Sequence, residues 1–203
     1  QLDLADYAAA ESALTRTIAE KGGADTPMAR IYLGLAQARL GSVEQSRKTL
    51  EEAAADVRQR GSAELQPLLD AIRGELELQI GNALAARPFL RNAAAHWDSD
   101  LAATPVVEAR ANLAFLDAIG ARAADGLRAL QETAERASRM NRPPLAARCL
   151  LLLAQAQLRA RRASDALQTL GRIPADSPTR TIGPELRAQA HFWRGKALAA
   201  AGD

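Results

Sequence analysis

Two glycines seven residues apart recur along this chain at a near-constant interval: Gly34 with Gly41, Gly74 with Gly81, and Gly195 with Gly202. Gly120 and Arg161 stand where the second glycine of the intervening copies is expected. That second position therefore recurs after 40, 39, 41 and 41 residues. An interval of this size marks a supersecondary unit stacked on copies of itself, not one globular core.

The residues after the second glycine repeat as well. Val43, Ser46 and Leu50 come after Gly41; Ala83, Ala86 and Leu90 after Gly81; Ala163, Ala166 and Leu170 after Arg161; Tyr7, Ala10 and Leu14 after Ala5. Small or apolar residues at the second, fifth and ninth places lay one narrow stripe along a helix. The small residue admits a neighbouring helix, and the leucine fills the space beside it. After Gly120 the pattern matches only if the turn is one residue longer, which brings Gly126 and Leu130 into register. The segment before each second glycine is also helical, best seen from Ile31 to Leu40. Gly34 inside that helix costs about 1 kcal/mol relative to alanine, so a partner helix is expected to cross close over it.

Forty-seven alanines and the absence of alternating β-branched runs make the chain all-α. Breakers at Gly22-Gly23, Gly61-Ser62, 98–105, 141–144 and 174–184 separate the helices. The expected organisation is a single repeat domain over 1–203, an α-solenoid of antiparallel helix pairs. Its approximate repeats are 1–24, 25–62, 63–102, 103–142, 143–183 and a partial 184–203. The linker from Pro174 to Pro184 is the expected place for the array to bend. The first residues read as the tail of a helix, and 184–203 as a first helix without its second. The chain is therefore expected to be a fragment of a larger protein, truncated at both ends.

The repeat resembles the tetratricopeptide repeat through Leu33-Gly34, Gly41, Val43, Ser46, Leu50 and Ala53. The resemblance covers nearly the whole chain and implies a right-handed superhelix of about five repeats. Two departures stand out. The family period is about 34 residues, and the excess here lengthens each helix pair by roughly 9 Å at the helical rise per residue. This is similar to the long-helix repeats of kinesin light chains and bacterial signalling proteins. The family's aromatics are mostly replaced by Leu and Ala, so stacking is expected to supply the stability.

In that family the first helices line a concave groove, into which the second, fifth, ninth, twelfth and thirteenth positions point. With the turn glycine as fifteenth, the resemblance puts Arg39, Glu75, Gln79, Arg110, Asp117, Gln155, Arg159, Phe192 and Lys196 in the groove. The lysine and asparagine that clamp a terminal carboxylate in chaperone-binding members are replaced by Ile31 and Leu35. An arginine-lined groove can still take an acidic segment through charge-assisted hydrogen bonds. Solvated groove charges with no ligand are the other reading of the same residues.

Chemistry is scarce elsewhere. His96 and His191, the two histidines, have no metal-ligand spacing around them, and Cys149 lies in an apolar helical stretch. No nucleophile motif, phosphate loop or cysteine pair is present. No catalytic, cofactor-binding or metal-binding residue is assigned, and the segment is expected not to be an enzyme. The 26 basic and 24 acidic residues are interspersed, which argues against a nucleic-acid surface. The excess of Arg over Lys, 23 to 3, reads as the codon bias of a high-GC bacterial genome. No apolar run reaches the length of a membrane span.

The leading expectation is a non-catalytic protein–protein interaction scaffold whose groove takes a partner segment, or another domain of its own chain. The alternative is a peptide- or ligand-sensing regulatory domain of a bacterial multidomain signalling protein or transcriptional regulator. Self-association through the last helix is a third possibility. The cytoplasm is the default compartment, with the periplasm left open.

Overall fold

The computed structural model describes residues 4–21, 26–96, 103–175 and 182–202. Most of the residues that sequence places in the linkers at 22–25, 97–102 and 176–181 lie outside the described residues. Among the described residues there are ten α-helices and no strand. They are α1 (Leu4–Lys21), α2 (Thr26–Arg39), α3 (Val43–Arg60), α4 (Gln66–Gln79) and α5 (Ala83–Ala94), then α6 (Thr104–Ala118), α7 (Ala123–Arg139), α8 (Pro143–Arg159), α9 (Ala163–Gly171) and α10 (Pro184–Ala201). A single 3₁₀ turn, Ala63–Leu65, leads into α4. The chain divides into two compact units, residues 2–109 and 110–203, with the boundary inside α6.

In residues 2–109, α2 packs on α3 and α4 on α5, and the two first helices α2 and α4 also touch. In residues 110–203, α8 packs on α7 and α9, and α10 on α9 and α8. Consecutive pairing of this kind is compatible with an α-solenoid.

The first helices stop in one repeated way. Gly41 N–H donates to Ala38 O and Ser42 N–H to Gln37 O; Gly81 and Asn82 do the same to Leu78 and Glu77, and Arg161 and Arg162 to Leu158 and Gln157. This double bond pattern needs a left-handed residue at the turn. Gly41 and Gly81 take it at φ +82° and +79°, and Arg161 takes it at φ +60° despite its side chain.

The helical glycines have the packing role expected of them. A Cβ on Gly34 would lie 2.6 Å from Leu50, and one on Gly74 2.6 Å from Leu90. Ser46, one turn before Leu50, donates its hydroxyl to Gly34 O at 2.7 Å. Each notch in a first helix thus receives the leucine of the next helix in the chain.

The third pair uses the same notch with its parts exchanged. Ala114 stands where Gly34 and Gly74 stand, and the glycine moves to the second helix as Gly126. A Cβ there would lie 2.1 Å from the backbone N of Ala118 and 2.7 Å from Ala114 O. Leu50, Leu90, Leu130 and Leu170, all fully buried, therefore recur at a constant 40-residue step. The longer turn after Gly120 is what keeps that step constant.

Around these leucines each unit builds its own core. In residues 2–109 it comprises Ile31, Leu50, Ala53, Val57, Leu69, Ile72 and Leu76. In residues 110–203 the largest buried side chains include Leu130, Leu145, Leu170 and Ile182.

Candidate partner-binding surface on the first helices

The exact step changes the register of two expected groove residues. Counting from Gly120 puts Arg110 and Asp117 at the fifth and twelfth positions. The burial pattern of α6 instead matches that of α2 at a distance of 80 residues, with Ala109, Ala111, Leu113 and Ala114 buried like Ala29, Ile31, Leu33 and Gly34. Arg110 is thus the counterpart of Arg30 and Asp70, and Asp117 of Gln37 and Glu77. Asp117 forms an ion pair with Arg122 of the adjoining turn at 2.6 Å.

Phe192 is also expected in the groove. Its counterparts in the register are Ile31 and Leu151, both core residues. It is itself exposed, in edge-to-face contact with Trp193 at 5.3 Å.

The remaining residues fall at the ninth and thirteenth positions, where successive first helices run beside each other. In residues 2–109 they are engaged with one another. Arg39 of α2 pairs with Glu75 of α4. Gln79 donates its amide to Ala38 O at 2.9 Å, tying the end of α4 to that of α2.

In residues 110–203 the same positions carry different charges. Arg159 of α8 stands where Arg39 stands, and Lys196 of α10 stands where Glu75 stands. An attractive pair is replaced by two cations. Arg159 lies over the ring of Phe115, its guanidinium 5.6 Å from the centroid, and Lys196 lies over Phe192 at 5.7 Å. Contacts of this type are worth about 0.5–1 kcal/mol at exposed sites and leave the N–H donors available. Gln155, one turn before Arg159 and half-buried, is the ninth-position residue of the same helix.

A separate feature was not legible in the sequence. A cavity of about 210 Å³ lies between α3, α4 and α5, walled by Leu50, Leu76 and Phe89 and rimmed by Arg47, Glu51, Arg73 and Glu77. Arg47 bridges to Glu77 at 3.3 Å. Arg73 donates to Leu50 O at 3.1 Å and lies over Phe89. Its burial lowers its pKa from the usual value, against the opposing pull of Asp70 and Glu51. One turn before Arg73 on α4, Asp70 is buried, and desolvation raises its pKa although Gln66, Arg73 and Asn92 favour the carboxylate. The cavity is walled by three helices together, a tertiary property that no local motif announces.

Among the described residues no group of three or more His, Cys, Asp or Glu is placed to hold a metal ion. No described helix is long and apolar enough to cross a membrane. Cys149 is fully buried in α8. Fold and surface together define a class: an all-helical protein of consecutively paired helices that presents polar ladders on its first helices. Comparison of the chain with protein-family models, with curated proteins and with solved structures finds no match.

Proposed function

We propose that this chain is a non-catalytic interaction scaffold of the tetratricopeptide type, and that its first helices bind an acidic segment of a partner protein through residues 110–203. The observation that carries this reading is the change of charge at one register position. Where Arg39 meets Glu75, Arg159 is followed by Lys196, and a carboxylate from outside would supply what Glu75 supplies internally. Gln155 and Arg159 offer further donors on the same helix, and Arg–carboxylate bonds are strong enough to fix a register.

The test is titration of a fluorescent glutamate-rich peptide, with its lysine-rich counterpart as control. Arg159→Glu with Lys196→Glu should abolish binding, and Arg39→Glu should leave it. Equal binding by the native chain and the double variant would overturn the reading, as would binding of the basic peptide.

The alternative, a ligand-sensing domain, is favoured by the cavity between α3, α4 and α5. Its mixed rim suits a small zwitterion, with a carboxylate facing Arg73 and an ammonium facing Glu51. A thermal-shift screen of free amino acids, repeated on Phe89→Ala, separates this reading from the first.

A further inference from the structure

Where α3, α4 and α5 join, the chain departs from its own repeat at several places together. Arg73 of α4 stands where α2, α6 and α8 carry Leu33, Leu113 and Leu153, all buried; of the first helices, α10 alone also has an arginine there, Arg194. Phe89 of α5 stands where α3, α7 and α9 carry the smaller Thr49, Ala129 and Thr169. Glu51 of α3 stands where α5, α7 and α9 carry Arg91, Gln131 and Gly171. Arg73, Phe89 and Glu51 all line the one cavity of about 210 Å³.

Residues 110–203 contain the equivalent joint, of α7, α8 and α9, without these departures. There Leu153 is buried, and Thr169 donates to Gln157 at 2.9 Å, so the polar atoms satisfy one another. Around the cavity they are satisfied unevenly. Glu77 accepts from Arg47 at 3.3 Å and from Asn82 at 3.0 Å, which engages both of its oxygens. Arg73 lies over Phe89 and donates to Leu50 O at 3.1 Å, one bond for a guanidinium that has five N–H donors. Glu51 is exposed on the rim and, among the described residues, makes no hydrogen bond or ion pair. An apolar wall is thus edged by one cation and one anion with capacity left over.

We propose that this cavity binds one free α-amino acid with an aliphatic side chain, a choice of ligand that rests on the ligand-sensing reading above and narrows it. The carboxylate goes to Arg73, the ammonium to Glu51, and the side chain against Leu50, Leu76 and Phe89. Charge selects a zwitterion, because a lone acid or a lone amine leaves one of the two rim charges without a partner. Charge spacing selects the α-amino acid. Glu51 lies close enough to Arg73 to oppose the lowering of its pKa, so the ligand's two charges belong on neighbouring carbons and not at the ends of a chain. Size selects the side chain. A cavity of about 150 Å³ holds benzene; the larger one here suits leucine or isoleucine with its charged end at the rim, and is too small for tryptophan. Leu50 also fills the notch over Gly34, so an occupant bears on the α2–α3 pair as well as on α4 and α5.

Titration calorimetry on the full chain, with leucine and four relatives of it, is the test. Glycine lacks the side chain, isocaproate the ammonium and isopentylamine the carboxylate, while ε-aminocaproate keeps both charges but parts them. Leucine should bind more tightly than each of the four by roughly tenfold or more, the loss expected for one charged hydrogen bond. Arg73→Leu installs the side chain that α2, α6 and α8 use at this place, so the fold should survive, which circular dichroism checks, and leucine binding should disappear. Glu51→Gln should weaken leucine by roughly tenfold and leave isocaproate unchanged. Leucine binding that survives Arg73→Leu overturns the proposal. If glycine or ε-aminocaproate matches leucine and Arg73→Leu abolishes that binding too, the proposal falls while the ligand-sensing reading stands. If none of the five binds, the proposal falls, and a silent screen of the other amino acids takes the ligand-sensing reading with it.

Discussion

The two halves of this molecule use the same repeat but place their charges differently. In residues 2–109, Arg30 reaches Glu52 and Asp56 from α2 to α3, Arg39 reaches Glu75 and Arg47 reaches Glu77 across helices, beside one local pair, Arg47 with Glu44. In residues 110–203 the pairs include Asp117 with Arg122, Asp125 with Arg128 and Asp165 with Arg162, each close in sequence. Pairs of the second kind are exposed and worth little, about 0.3–0.5 kcal/mol each. At the ninth and thirteenth positions the first half pairs Arg39 with Glu75, whereas the second half carries Arg159 and Lys196 over aromatic rings.

The sharpest way to test whether the halves share one notch is to fill it. Gly126→Ala should be the most damaging small substitution in the chain, because its Cβ meets backbone atoms of Ala118 that cannot move aside. A loss of about 3 kcal/mol, the upper end for overpacking, is expected in chemical denaturation. Gly34→Ala and Gly74→Ala meet leucine side chains instead, and part of their cost is offset by helix propensity. Their net loss should be roughly 1 kcal/mol. If Gly126→Ala proves as mild as these, the exchange of glycine between helices in the third pair is not a packing device.

Next in size is the turn. Arg161 holds the left-handed conformation that Gly41 and Gly81 hold in the other half. Arg161→Gly should stabilise residues 110–203 by about 1 kcal/mol, and Gly81→Arg should cost residues 2–109 a similar amount. Opposite shifts in melting temperature are the expected signature. Shifts of the same sign would separate the two turns.

These positions also show what was legible in the sequence. The glycine pair, the small-x-x-x-Leu stripe and the αL turn are local signals, so the helices, their pairing and the notch can be read from the chain alone. The third pair is harder because its glycine has changed helix, and counting from Gly120 displaces Arg110 and Asp117 by one place. Phe192 falls to the groove by its number, but a position number carries no information about which neighbour covers it. The cross-helix pairing of Arg39 with Glu75 is not foreseen either. It depends on the spacing of two first helices, which the linear pattern does not encode.

Charge exchange addresses the comparison directly, with a smaller effect on stability. Lys196→Glu installs at the place of Glu75 the acid that Arg39 meets in the first half. It should raise stability by up to about 0.5 kcal/mol in low salt while removing affinity for the acidic peptide. Glu75→Lys should do the reverse in the first half, creating a second acidic-peptide site detectable as a change in stoichiometry. Unchanged stoichiometry would mean that the helices of residues 110–203 contribute more than the two charges.

The smallest expected effect concerns Asp70, which stands where Arg30 stands in α2, Arg110 in α6 and Leu150 in α8. One register position thus holds two cations, a buried acid and a hydrocarbon. Desolvation raises the folded-state pKa of Asp70 above 3.8, against the hydrogen bond from Gln66 and the field of Arg73. A carboxyl whose pKa is raised on folding favours the native state most below its unfolded pKa, and that contribution is lost as pH climbs through the raised value. Asp70→Asn keeps the shape and an acceptor for Gln66 while removing the charge. It should therefore be more stable than the native chain at neutral pH, and the advantage should vanish as pH falls through the raised pKa toward 3.8. If it is instead less stable at neutral pH, the attraction of Arg73 outweighs the cost of burial. The first half would then depend on a charge pair within α4 even in its core, at a position that α8 fills with Leu150.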